Sequence, residues 1–136
     1  ITYQNETTDG TPGDLSITYT ARVGKMVQMG RLIFLQWDIS IIAGSFTHST
    51  ASGSARITGV PFAPAASNVG RIYTGALSWA GITKAGYTDI NCRIVNGDKF
   101  LELFAFASGL AMDNVTAANM PTLGGVELHG GVIYDV

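Results

Sequence analysis

The sequence predicts an all-β domain, an antiparallel β-sandwich of about seven to eight strands with a jelly-roll-like arrangement. Three observations carry that expectation. Apolar residues recur mainly with a period of two, the period of a strand with one buried face. Turn formers such as Gly44, Ser52-Gly53, Pro61, Pro64, Gly81, Gly86, Asn96-Gly97-Asp98 and Gly124-Gly125 fall between the alternating runs. No segment carries a strong helical period, and only Asp113 to Asn119 suits a single turn.

Residues 1–14 (ITYQNETTDGTPGD) are polar and contain Gly10, Pro12 and Gly13, so they read as a linker or N-terminal arm. The chain opens at Ile1 without an initiator Met or a secretory pattern, as a fragment or processed product would. The sandwich domain is assigned to residues 15–136. Within it, residues 15–23 alternate Leu15, Ile17, Tyr19, Ala21 and Val23 with Ser16, Thr18, Thr20 and Arg22. Residues 31–42 put Ile33, Leu35, Trp37, Ile39 and Ile41 on one face. The other face is apolar at Leu32 and Phe34 and then polar at Gln36, Asp38 and Ser40, so this strand offers a second contact surface.

Residues 89–95 set Ile90, Cys92 and Ile94 against Asn91 and Arg93, and Asn96-Gly97 after them suits a tight hairpin turn. The last strand places Val126, Leu128, Gly130, Val132, Tyr134 and Val136 opposite Glu127, His129, Gly131, Ile133 and Asp135. Its mid-strand glycine pair implies a bulge or a close backbone approach. Weaker strands fit 25–29, 54–60, 70–79 and 99–107. No second domain and no internal repeat is legible.

Composition narrows the function. Hydrophobic residues at 46% suffice for a core, whereas charged residues at 13% are about half the usual share. Eight Lys+Arg against ten Asp+Glu give no cationic footprint for a nucleic acid. No apolar run is long enough for a helical membrane span, so no membrane insertion is expected. Two distant histidines and the lone Cys92 form no metal-ligand cluster, and no phosphate loop is present, so no metal or cofactor is expected.

Catalytic groups are sparse. His48 lies in a Ser/Thr-rich loop, His129 lies on the last strand, and nothing resembles a nucleophile elbow. Asp38, Glu102 and Glu127 are the carboxylates that glycoside cleavage would need, and each is equally an outward residue of an alternating strand. Cys92 reads as a buried thiol. Asn5-Glu6-Thr7 and Asn114-Val115-Thr116 match the glycosylation acceptor pattern.

The aromatics are more informative. Trp79 ends a strand and opens a loop that closes at Tyr87, with Asp89, Asn91 and Arg93 following. A flat ring beside a carboxylate, an amide and a guanidinium is the chemistry of sugar recognition, and these five are the candidate glycan-binding residues. Trp79 also shares its parity with Tyr73 and Leu77, which is the pattern of a core residue. Residues 99–107 are apolar on both sides: Phe100, Phe104 and Phe106 stand opposite Leu101, Leu103 and Ala105. One side meets the core and the other needs a cover. A neighbouring copy would supply it, making the three phenylalanines a candidate trimer interface.

Two stretches carry a family resemblance. Tyr19-Thr20-Ala21-Arg22-Val23-Gly24-Lys25-Met26-Val27, followed by Gly30-Arg31-Leu32-Ile33, resembles an opening common in C-terminal domains of phage tail fibres and tailspikes. Ile57-Thr58-Gly59-Val60-Pro61-Phe62 resembles the Ile-x-Gly-Leu-Pro-Phe segment that follows in those modules, and the ending on Ile133-Tyr134 is similar too. Val60 in place of Leu and Met29 before Gly30 are the departures. The resemblance implies a homotrimeric β-sandwich on a virion tail appendage, outside the host cell. It would hold chains together, contact host surface polysaccharide or another receptor, or both, with any depolymerase lying upstream. It fixes no binding residues. The competing expectations are a capsid fibre or decoration domain without a ligand, and a glycan-cleaving enzyme.

Overall fold

The computed structural model describes residues 2–5, 14–66 and 71–136. The strands are β1 (Thr2–Asn5), β2 (Ser16–Met29), β3 (Leu32–Thr47), β4 (Ala55–Thr58), β5 (Ile72–Ala80), β6 (Asp89–Val95), β7 (Phe100–Phe106), β8 (Asp113–Asn114) and β9 (Val126–Asp135). One 3-10 turn at Ala117–Asn119 falls inside the stretch expected to make a single turn, and no α-helix occurs among the described residues. Every pairing is antiparallel. Eight strands form one continuous path, β1-β4-β7-β6-β5-β9-β3-β2, and β8 adds a short rung beside β7.

The sheet curls because β5 belongs to two limbs. Its first half, Ile72 to Gly75, pairs with β6, and its second half, Ala76 to Ala80, pairs with β9. At the crossing the backbones come too close for side chains. A Cβ on Gly75 would lie 2.6 Å from the Gly131 carbonyl oxygen, and one on Gly130 would lie 2.5 Å from the Trp37 ring. Register between β3 and β9 runs unbroken through Gly130 and Gly131, so the glycine pair marks a close approach rather than a bulge.

One core fills the curl. Ile33, Leu35, Trp37, Ile39 and Ile41 of β3, with Val126, Leu128, Val132 and Tyr134 of β9, join Ile57, Ile90, Cys92, Ile94, Leu101, Leu103 and Ala105 from the other limb in a single cluster. Those of β3, β6 and β9 are the inward positions that alternation marked. The Tyr134 hydroxyl donates to the Phe62 carbonyl at 2.9 Å, which satisfies its polar end.

Several boundaries differ from the sequence reading. Residues 2–5 of the expected arm form β1 against β4, and 6–13 lie outside the described residues. The runs 15–23 and 25–29 are one strand, and β3 continues to Thr47 through Gly44 at φ +87°. In the Asn96-Gly97 turn only Gly97 takes positive φ (+87°), closed by the Asp98 amide donating to Val95 at 3.1 Å.

The most consequential difference is in β2. Tyr19 is opposite Ile41, whereas Ala21 is opposite Ser40, so Thr20 is an extra residue, a bulge. The Thr20 hydroxyl donates to the Ser40 carbonyl at 3.0 Å. One extra residue reverses the parity of all that follows. Val23, read with Ile17 and Tyr19 on the buried face, instead lies opposite Asp38 and points outward, as do Lys25, Val27 and Met29.

Candidate functional site

Two outer surfaces bear on function. The first, on β6, β7 and β8, holds most of the residues singled out in the sequence. Register sets Asp89 opposite Phe106, Asn91 opposite Phe104, and Arg93 opposite Glu102. The candidate sugar readers and the candidate trimer residues are therefore neighbours on one face, a proximity that strand spacing alone does not reveal.

Much of that face is covered by its own chain. The Arg56 guanidinium lies 3.8 Å from the centre of the Phe100 ring, and that of Arg93 lies 5.7 Å from the centre of Phe104. Arg93 Nε donates to Glu102 Oε2 at 2.8 Å, and its Nη2 donates to Asn114 Oδ1 at 3.4 Å. Phe104 retains 6% of its exposure, whereas Phe106 retains 37%. Two arginines thus supply within one chain much of the cover that the two-sided strand requires.

The aromatic candidates separate from the polar ones. Trp79 and Tyr87 pack against the core. The Trp79 indole N–H donates to Asp89 Oδ1 at 3.4 Å, and the same oxygen accepts the Ile90 amide at 2.8 Å. The Tyr87 hydroxyl donates to the Ala111 carbonyl at 3.1 Å, and Lys84 Nζ lies 5.6 Å from the ring centre. Asn91 accepts the Cys92 amide at 2.8 Å. Trp79 is thus a half-buried rim residue tied to Asp89, while Asn91 and Arg93 belong to the outer face of β6.

The second surface is the outer face of β2, β3 and β9. Four cross-strand rows run over it: Met29–Leu32–Asp135, Val27–Phe34–Ile133, Lys25–Gln36–Gly131 and Val23–Asp38–His129. The hairpin end is apolar, with Val27 59%, Met29 63%, Leu32 45% and Ile133 53% exposed. Gly131 lacks a side chain in the third row, and a cleft of about 520 Å³ opens there between Lys25 and Gln36 on one side and Val27, Phe34 and Ile133 on the other. An adjoining cleft of about 490 Å³ is lined by Val23, Lys25, Gln36, Asp38 and His129. The His129 Nδ1–Asp38 Oδ1 distance is 2.9 Å, and His129 Nε2 lies 3.9 Å from Glu127 Oε2.

Sequence reasoning found Leu32 and Phe34 as a second surface but missed their partners Val27, Met29 and Ile133. The Thr20 bulge hid the outward facing of Val27 and Met29, while Ile133, already on the outer face of its strand, meets Phe34 through a register remote in sequence.

The groups considered for chemistry fall as follows. Glu102 is bound to Arg93 on one limb, while Asp38 and Glu127 flank His129 on the other, so the three carboxylates do not converge. His48 meets Phe46 edge-on, with ring centres 5.8 Å apart. Cys92 is fully buried, and burial pushes its thiol up to about 12, which leaves it protonated and unreactive. Asn114 is half-buried in β8 and engaged by Arg93, and the other acceptor motif reaches beyond the described residues. Among the described residues no group of three potential metal ligands occurs, and no helix is long and apolar enough to cross a membrane. Compared with protein-family models, curated proteins and solved structures, the chain has no match.

Proposed function

We propose that this chain is a trimerisation and host-surface attachment module of a phage tail fibre or tailspike, with its two sheet limbs closed as a sandwich over the shared core. The observation that carries the reading is the apolar outer face of β2, β3 and β9. Val27, Met29, Leu32 and Ile133 are exposed and contiguous in register with half-buried Phe34, on a chain poor in charge. Patches of this kind mark association surfaces, and the ordered motifs of the tail-fibre resemblance point to two further copies of the chain as the cover. The interface expected at Phe100, Phe104 and Phe106 thereby moves largely to the opposite limb, with Phe106 left to contribute.

Light scattering on the full chain tests this. The reading expects three times the 14.3 kDa chain mass. It expects Val27→Lys with Ile133→Lys to give a folded monomer, and Phe106→Lys to perturb the mass less. A wild-type monomer at micromolar concentration overturns it.

A second reading, a fibre domain without ligand, is favoured by the internal engagement of Trp79, Asp89 and Arg93. Binding to host cells separates the two. Attachment requires saturable binding that Trp79→Ala or Tyr87→Ala weakens, and the ligand-free reading requires none.

A further inference from the structure

We infer that His129 makes association through the β2–β3–β9 face pH-dependent, tighter in mild acid than at neutral pH. The inference rests on the association reading above and adds a regulatory group to that surface. The polar and apolar clefts share Lys25 and Gln36, so a partner seated on the apolar rows also dehydrates the row that carries His129.

The charged groups facing this imidazole are few. Asp38 on β3 lies 2.9 Å from Nδ1, Glu127 on its own strand lies 3.9 Å from Nε2, and Lys25 of β2 lines the same cleft. From β5, the residue opposite His129 is Ser78, and Ala76 and Ala80 lie opposite Gly131 and Glu127, so that strand adds no charge. With a neutral ring, two carboxylates face one ammonium and the cluster carries net −1. Covering it strips water from an uncompensated negative charge, which is costly. With a protonated ring, the second N–H faces Glu127, the cluster is neutral and both carboxylates have a cationic partner.

By linkage, an assembly that favours the protonated ring takes up protons and strengthens as pH falls. A charge-assisted contact of this kind is expected to change affinity about tenfold per chain.

The test is sedimentation equilibrium of the full chain at pH 5.5, 6.5 and 7.5, with circular dichroism to verify folding. The expected result is an association midpoint that moves to lower concentration at pH 5.5, a shift abolished in His129→Gln and retained in His48→Gln. Wild-type association that does not vary with pH overturns the inference and leaves the association reading standing. So does a shift that persists in His129→Gln. A monomer at every pH overturns both.

Discussion

Asp14 organises a loop through hydrogen bonds. Its carboxylate accepts the Ser49, Thr50 and Ala51 amides at 2.7–3.1 Å and the Ser49 hydroxyl at 2.6 Å. Hydrogen bonds to the charged form, those of Ser49 foremost, hold this carboxyl well below its usual 3.8. The sign follows from linkage. A lowered folded-state pKa contributes stability above the unfolded value, and that contribution is lost as pH falls from about 4 toward the lower folded value. Melting temperatures measured from pH 5 down to 2.5 should therefore drop more steeply in the wild type than in Asp14→Asn. Parallel slopes would sink the assignment. Gly75 is a steric counterpart. Its absent Cβ would meet the Gly131 oxygen at 2.6 Å and the Cys92 sulfur at 2.7 Å, so Gly75→Ala should cost about 1–3 kcal/mol in urea unfolding. Gly131→Ala, whose nearest contact is 3.2 Å, should cost less.

Strand β7 shows how an element apolar on both faces is accommodated. Leu101, Leu103 and Ala105 enter the core, while Phe100 and Phe104 lie under Arg56 and Arg93. Glu102 fixes one of those arginines, and both side chains of the pair are mostly shielded from water. Glu102→Ala leaves a shielded guanidinium without its carboxylate and should destabilise by about 2 kcal/mol. A double-mutant cycle with Arg93→Ala should return much of that as coupling, and strictly additive effects would argue against the pair as the organising contact. Strands that bury one face were legible in the sequence, because alternation is itself the imprint of burial. β3, β6 and β9 belong to this class. Where one inserted residue reverses the faces, as Thr20 does in β2, the letters still alternate and give no sign of the reversal. Gly44 has the look of a break in the sequence, although a left-handed glycine within β3 lets the strand continue past it. The Asp38–His129 contact depends on register between strands remote in sequence, which no local pattern records.

At the scale of the molecule, the sheet ends on β2, a fourteen-residue strand whose second half gains little from its own chain. Residues 22–29 are all exposed, and among the described residues they pair with β3 alone. Met26, on the inner side opposite Leu35, is 38% exposed. A long edge strand open on both faces is a hazard that folded proteins usually blunt with proline, extra charge or shortness, and Arg22 and Lys25 are the only charges from 22 to 29. Association would remove the hazard by covering the strand. Amide hydrogen exchange distinguishes the two conditions, because local opening governs exchange at weakly held edges. Amides in 22–29 should exchange much faster than those in 33–41 when the chain is dilute, and slow markedly as concentration carries it through the association midpoint. Core amides should stay nearly constant. If the mass rises with concentration while exchange at 22–29 does not change, the chain associates through some other surface, and the β2–β3–β9 face loses its role.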